Sequence, residues 1–497
     1  MDNSRYYFKY PEKIEDRIDE NYNNPYYDKI EELLEKARFE VVQLGNKDYL
    51  FNITSGKTPR GIHYVEEGGI RFLGATQIVD ECVLIGHAPR IKEELHTSVL
   101  KGSQLKKGDV LVTIAGTYIG RCAVFKADEE CNCNQAVAIL RLNDEKVIPE
   151  FLVKYLNSNI GQLFFGKLQH ISNQSNINTT EIGKIELILP TKPIQKKILR
   201  SVAKKESTLI PIEIEIKKLK EKKKDLILDS FRLSKWKNKM GTYFFRTGKS
   251  NESLFFAVDF EDLADRVSYL FYDPRQRLLK EFMEKYSTTT LKKAVRKTIV
   301  RGIQPEYVEE DGVTVIKTVD IKDEYVDYKF CLKTSEDSFQ NSLDAQIENG
   351  DVLVASTGYV SIGKVDVYDR DERAIVDGHV SILRLKEGYD PYFMASFLRS
   401  HLGKIQFEKW WSGSSGQIEI QPSDLERFIV PDNTVSGIPL SEQRRISEQI
   451  EKLSLKIEEL RLKYDRVKKE VQNFFDLSLY KKGKTLKTIN HLSSLIS

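Results

Sequence analysis

The chain has 497 residues, of which 30% are charged, 40% hydrophobic and 10% aromatic. That balance excludes a disordered chain, and the length implies three to four domains. No apolar stretch approaches the roughly 18 residues of a membrane span, and Met1-Asp2-Asn3-Ser4 opens without an apolar signal region, so a soluble, cytoplasmic protein without a membrane partner is expected.

Net charge is only +3, but residues 196–249 hold 17 Lys and Arg against 6 Asp and Glu, a local excess of +11 that leaves −8 for the remainder. Such a run is either a solvated helix face or the footprint of a polyanion. Five cysteines, Cys82, Cys122, Cys131, Cys133 and Cys331, form an odd, sparse set suited to a reducing compartment. Cys131 and Cys133 have no second Cys or His pair at ligand spacing, so no metal site is expected.

In chain order, residues 12–38 read as a short helical lead-in with Ile14, Ile18, Ile30, Leu33 and Leu34 as apolar positions, interrupted at Pro25. Residues 40–190 are strand-rich: Leu111-Val112-Thr113-Ile114 and Ala136-Val137-Ala138-Ile139-Leu140 are short apolar runs bounded by Gly, Asp and Asn. Residues 151–163 carry helical spacing, and Ile185-Glu186-Leu187-Ile188-Leu189-Pro190 closes the region as a strand. Next comes a helix with Leu209, Ile212, Ile216, Leu219, Lys223 and Leu226 in a heptad stripe, which Pro211 must kink or restart.

The order then repeats. Gly108-Asp109-Val110-Leu111-Val112 returns as Gly350-Asp351-Val352-Leu353-Val354, and Ile139-Leu140-Arg141-Leu142 as Ile382-Leu383-Arg384-Leu385. Asp16-Arg17…Pro25 matches Asp265-Arg266…Pro274, and Gln195-Lys196-Lys197-Ile198 matches Gln443-Arg444-Arg445-Ile446. A period of roughly 245 residues is far longer than a solenoid repeat, so the chain holds two copies of one module. The second copy ends in a cleaner stripe: Ile446, Ile450, Leu453, Ile457, Leu460, Tyr464, Val467, Val471 and Phe474 alternate steps of 4 and 3. That is a coiled-coil seam about 42 Å long, whose simplest partner is the first helix, packed antiparallel.

The expected segments are 1–39 (lead-in), 40–190 (first mixed domain), 191–240 (central helical region), 241–286 (linker and repeated lead-in), 287–432 (second mixed domain), 433–480 (C-terminal helical region) and 481–497 (tail). The fold class is α+β: two pseudo-repeated mixed α/β domains joined by two long antiparallel coiled-coil helices.

Catalytic motifs are weak. Gly358 to Lys364 fits G-x-x-x-x-G-K, but Val365 replaces the Ser/Thr that would ligate Mg²⁺, and apolar runs on both sides give strand-turn-strand rather than strand-loop-helix. Asn24-Pro25-Tyr26-Tyr27 lacks the second proline of an amino-methyltransferase tetrapeptide. No catalytic residue is assigned. What remains suits base reading. In the first copy these are Lys57, Thr58 and Arg60 in a basic turn, Thr117, Tyr118 and Arg121 in the Gly116–Gly120 turn, Asn134 and Gln135 before a strand, and Ser172, Asn173 and Gln174 in an amide-rich run. The matching places of the second copy hold Arg301 and Gln304, Tyr359 and Lys364, His379, and Ser412, Ser414, Ser415 and Gln417. Asn and Gln can pair bidentately with adenine, and Arg or Lys with guanine. Ordinary polar loops remain the alternative for each taken singly.

With these residues in hand, the chain resembles the specificity (S) subunit of type I restriction-modification systems. The resemblance is carried by Gly108-Asp109-Val110-Leu111-Val112 with Gly116…Gly120-Arg121, by Asn134-Gln135-Ala136, and by Ile438-Pro439-Leu440-Ser441-Glu442-Gln443-Arg444-Arg445-Ile446, similar to the family's P-L-x-E-Q-x-x-I entry to its helices. Ser412 to Ile420 and Asp16-Arg17-Ile18-Asp19…Tyr22…Pro25 resemble further family segments. The first copy departs at its exit, where Lys192-Pro193-Ile194-Gln195 is two residues shorter and lacks Ser-Glu. The resemblance implies a non-catalytic chain in which each of two domains reads half of a bipartite site in double-stranded DNA. It implies a pair of N6-adenine methyltransferase (M) subunits using S-adenosylmethionine, and motor-nuclease (R) subunits using ATP and Mg²⁺, with no cofactor in this chain. The alternatives are an NTP-dependent enzyme using Lys364 and a coiled-coil adaptor for proteins.

Overall fold

The computed structural model describes residues 21–59, 64–65, 67–116, 118–143, 145–170, 175–233, 269–273, 276–309, 311–322, 325–414 and 417–481. Ile14 and Ile18 of the lead-in, residues 234–268 and the tail beyond Lys481 lie outside them. The chain divides into two compact units, 1–213 together with 462–497, and 214–461. This division cuts through both long helices. The central helix runs from Ile210 to Ser230 and the C-terminal helix from Leu440 to Ser478.

The first unit is built on a four-stranded antiparallel sheet in the order Leu50–Ser55, Val137–Leu142, Val110–Thr113, Cys122–Val124. The apolar run Val110-Leu111-Val112 is buried on both faces because both faces are covered. Val110 and Val112 join a core with Phe151, Tyr155 and Ile198, whereas Leu111 faces the other way, toward Leu73, Ile78, Phe125 and Ile139. A smaller sheet lies on that second side, where Cys131–Cys133 pairs parallel with Ile70–Leu73. The ends are tied by Glu40–Gln43 pairing antiparallel with Glu186–Leu189. The core closes with Val471, Phe475, Leu479 and Tyr480 from the far end of the chain.

The second unit repeats this plan. Its sheet order is Val300–Arg301, Val380–Leu383, Val352–Ala355, Val365–Val367. Val352 and Val354 pack with Phe393 and Phe397, and Leu353 faces Ile316, Tyr368 and Val376. The smaller sheet has five strands here, again with one parallel pair, Val313–Ile316 beside Ala374–Val376. Thr288–Thr290 and Ile429–Pro431 tie the ends. Ile227 and Leu228 of the central helix, Phe231 just past its end, and Ile446 and Ile450 of the C-terminal helix belong to this core.

The repeated motif has a physical reason. Asp109 accepts the Lys106 amide at 2.8 Å, closing the turn before its strand, and holds Arg141 Nε at 3.1 Å, while Arg141 Nη2 reaches the Gln104 carbonyl at 2.6 Å. Asp351 does the same with the Glu348 amide at 2.9 Å and Arg384 Nε at 3.1 Å, and Arg384 bonds the Gln346 carbonyl. Burial pushes the Asp351 carboxyl up to about 6 against the pull of Arg384. The exits match too. Gln195 is fully buried, accepts the Ile148 amide at 2.9 Å and donates to the carbonyls of Lys146 and Pro190. Gln443, equally buried, accepts the Asp390 amide at 2.8 Å and donates to Ile438 at 2.7 Å. The shorter first exit therefore keeps the one side chain that stitches helix to domain.

Two local expectations need adjusting. The helix expected over residues 151–163 is two helices, Pro149–Leu156 and Asn159–Leu168. Asn157 is drawn to the neighbouring strand by bonds to both backbone groups of Cys122, and Ser158 caps the second helix at the Gly161 amide. Pro211, by contrast, restarts its helix as expected. Lys192–Glu206 ends before a turn at 207–209, and Pro211 sits in the first turn of the next helix, where its missing N–H costs nothing. Of the stripe positions, Ile212, Ile446, Ile450, Ile457 and Val471 are buried. Ile216, Leu219, Leu226, Leu453, Leu460, Tyr464 and Val467 are half-buried. At the C-terminal end the register slips by one residue, and Phe475 rather than Phe474 is the buried aromatic.

Candidate nucleic-acid interface

Four loops meet at one edge of the main sheet in each unit, and the same backbone bonds join them. In the first unit Ile114 N donates to Ala136 O at 2.8 Å, Ile177 N to Ile114 O at 2.9 Å and Gly116 N to Ser175 O at 3.4 Å. In the second unit the equivalent bonds are Ser356 N to His379 O, Ile420 N to Ser356 O and Gly358 N to Ile418 O, each at 2.9 Å. The isolated bridges Ala115 to Asn176 and Thr357 to Glu419 complete the match.

The first of these loops is seated by a glycine. A Cβ on Gly56 would lie 2.1 Å from Asn134 O, and one on Gly302 would lie 1.9 Å from Val376 O, so only glycine lets the strand end approach so closely. This places Lys57, which is exposed, and half-buried Thr58 beside the Asn134 turn, and Gln304, also exposed, beside the Asp377 turn. Asn134 Oδ1 accepts the Ala136 amide at 3.0 Å and Asp377 Oδ1 the His379 amide at 2.9 Å. These oxygens close their own turns. Burial raises the Asp377 carboxyl, opposed by its backbone bond to His379. Gln135 and His379 stand exposed beside these turns.

The second loop differs between the copies. Gly120 and Gly363 both adopt positive φ, 84° and 79°, where the turn passes over Phe165 and Phe407 respectively. In the first unit the Arg121 guanidinium lies 3.7 Å from the centre of the exposed Tyr118 ring. In the second, Tyr359 and Val360 are 59% and 81% exposed at the tip, and Lys364 lies half-buried at the turn's end. Strand Val365–Val367 follows, paired antiparallel with Val352–Ala355, so no helix N-terminus faces this G-x-x-x-x-G-K segment.

The fourth loop of the first unit begins at His170, whose Nε2 meets Glu181 at 2.7 Å, and ends at Asn176. In the second unit it is a hairpin, Ser412–Ser414 paired with Gln417–Glu419. Ser412 is half-buried. Ser414 and Gln417 are described in their backbones only, and Arg60, Thr117, Ser172, Asn173, Gln174 and Ser415 lie outside the described residues. Arg301 is turned inward. It pairs with Glu419 at 3.2 Å and donates to Ile420 O at 2.6 Å, so it joins the first loop to the hairpin. Gln304 Nε2 bonds Tyr307 at 3.3 Å. Sequence reasoning missed Glu419, whose acidic place opposite Arg301 in the loop order was the available signal.

Part of the chain is similar to known proteins. Residues 38–221 match the family model described as the type I restriction modification DNA specificity domain. The match spans 184 of the 497 residues, and the sequence resembles the specificity subunits of type I restriction-modification systems. The chain is 26% identical over 174 residues to the EcoBI specificity subunit of Escherichia coli, a match covering 34% of this chain and about a third, 36%, of that protein. Among solved structures, the S subunit from M. genitalium aligns over 90% of this chain and 97% of its own at 13% identity and a TM-score of 0.37. The HsdS subunit from Thermoanaerobacter tengcongensis aligns over 89% and 96% at 16% identity and a TM-score of 0.31. Among the described residues no cluster of metal-ligating side chains occurs, and no helix is long and apolar enough to cross a membrane.

Proposed function

We propose that the chain is the DNA sequence-specificity subunit of a type I restriction-modification complex, and that each four-loop edge reads one half of a bipartite target in double-stranded DNA. The observation that carries this is the pairing of constancy with change: identical backbone bonds in two units present Lys57, Tyr118, Arg121 and Gln135 in one and Gln304, Tyr359, Lys364 and His379 in the other. One scaffold with two sets of side chains suits two different half-sites.

The two long helices would pair antiparallel and fix the gap between half-sites. Two contacts support this, each inside its own unit. Tyr464 OH lies 2.7 Å from Glu213 in the first, and Ile227 and Leu228 share a core with Ile446 and Ile450 in the second. On this reading the chain is non-catalytic and works in the cytoplasm. Two methyltransferase subunits would bring S-adenosylmethionine, and motor-nuclease subunits would bring ATP and Mg²⁺. The test is methylome sequencing of cells that express the chain with its cognate methyltransferase. A split motif with a fixed gap that appears only with this chain is expected. Methylation that is unsplit, or indifferent to the chain, overturns the proposal.

A further inference from the structure

The turn between the strands Val352–Ala355 and Val365–Val367 breaks the usual chemistry of its position. Ser361 N donates to Gly358 O at 3.0 Å, so Tyr359 and Val360 are the two central residues of a tight turn. Such places favour Gly, Pro, Asn, Asp or Ser, which shape the bend or bond its backbone. Here they hold a tyrosine and a β-branched valine, 59% and 81% exposed. An apolar tip this far out adds nothing to the core, and a polar residue there would cost the fold little.

The tip is exposed without being loose. Gly358 N donates to Ile418 O at 2.9 Å, Ile362 N to Gly358 O at 2.8 Å and Gly363 N to Ala355 O at 3.0 Å. Ile362 packs on the core of the second unit, and Gly363, at φ 79°, passes over Phe407. Valine adds stiffness of its own, since branching at Cβ restricts χ1. The turn therefore holds out a small apolar group whose position is set before any ligand arrives, which keeps the entropy cost of a contact low. It stands on the edge that also presents His379, whose carbonyl accepts Ser356 N at 2.9 Å two residues before Gly358. At the same place the first unit offers Tyr118 faced by the Arg121 guanidinium, a cation in place of an apolar group.

On a DNA-reading edge an apolar prong needs an apolar partner. Base edges in the major groove present hydrogen-bond donors and acceptors, and the apolar group among them is the thymine 5-methyl. The other apolar use of a protein tip is a wedge between base steps, made in the minor groove by larger side chains such as Phe, Leu, Ile and Met. Val360, the more exposed of the two tip residues, is shorter than any of these.

We propose that Val360 reads a thymine by packing on its 5-methyl group, so that the half-site of the second unit contains a thymine recognised by an apolar contact. The inference rests on the DNA-reading proposal and deepens it, because it names one base of one half-site and the chemical group that is read.

The experiment uses the complex of the chain with its methyltransferase and duplexes that carry its methylation motif. Each thymine of either half is replaced singly by deoxyuridine, which keeps the base pair and removes only the methyl. Competition binding is measured for wild type, Val360→Ser and Val360→Ile, with circular dichroism melting as a folding control. In wild type one replacement, in one half only, should weaken binding about fourfold, the effect of one buried methyl group. Val360→Ser should bind the thymine and deoxyuridine duplexes equally, and Val360→Ile should keep the preference. Neutral replacement of every thymine in wild type overturns the inference while leaving the reading edge standing. A methyl preference that survives in Val360→Ser also overturns it, because another group then reads the methyl. A wild-type complex that binds duplexes with and without the motif alike overturns the reading proposal and this inference with it.

Discussion

The two units share a skeleton and differ in what hangs from it. Both bury an Asp-Arg pair under the strand that follows the repeated turn, and both lock their exit helix with a single glutamine. Away from those points they diverge by chemistry. The first unit stacks Arg121 on Tyr118 and neutralises Lys154 between two glutamates, whereas the second bares Tyr359 and Val360. The positions that could not change are those where a buried polar group would otherwise lose its partner, at about 1–3 kcal/mol each. Among the positions that did change, Tyr359 and Val360 face solvent, where a new side chain costs the fold little.

The largest test of this comparison is the exit glutamine. Gln195→Ala strips three buried bonds and Gln443→Ala two, so the first unit should lose on the order of 3 kcal/mol and the second about 2 kcal/mol. Hydrogen exchange resolved by unit during denaturant titration measures both. Equal, small losses would mean that the stitch is ornamental.

Next come the exposed tips. His379→Ala should relax one half of the methylated motif and Gln135→Ala the other, each by about 1–3 kcal/mol of discrimination, seen as new bases tolerated at one or two positions. If either variant blurs both halves, the loops position the DNA rather than read it.

A pH contrast follows from equivalent places in the two units. Burial pushes the Asp476 carboxyl, which accepts Asn159, up to about 7. A raised carboxyl contributes stability that is present below its ordinary range near 4 and lost as pH rises through about 7. His401, at the place of Asn159, is lowered by burial, so its contribution is present above the ordinary histidine range and lost as pH falls through it. Acidification from pH 8 to 5.5 should therefore favour the first unit through Asp476 and disfavour the second through His401. Asp476→Asn should raise the first unit's stability at pH 8 by about 1–2 kcal/mol and flatten that arm, while His401→Gln flattens the other. Unit-resolved exchange at the two pH values reads both arms, and parallel slopes in wild type and variants would contradict the assignment.

The smallest effect belongs to Arg121→Gln. Its guanidinium should account for about one phosphate contact, so the salt slope should flatten by about one, equally for all duplexes and without change of motif. An altered motif would promote Arg121 from a positioning cation to a reader of bases.

Much of this fold is legible in the chain itself. The strands around Leu111 and Leu353 show as continuous apolar runs because both of their faces are covered. The heptad stripe marks the buried side of the C-terminal helix until its end, where Phe475 replaces Phe474. The break at Asn157 and Ser158 was hidden, since it arises from hydrogen bonds to a strand 35 residues away rather than from any local breaker. The loops that meet at each edge follow from the repeat, but Arg301's inward turn does not, because Glu419 reaches it from 118 residues further along.

The first unit is not finished by its own half of the chain. Its core waits for Val471, Phe475 and Leu479, and Asn159 finds Asp476 across 317 residues. During synthesis the first unit must therefore stay open until the chain past Phe475 has followed it. At about 5–20 residues per second that is tens of seconds with an apolar surface unpaired, a window in which chaperones would find it. A chain cut short before Val471 would hold a second unit that can close and a first unit that cannot, so damage to one stretch would be felt in another.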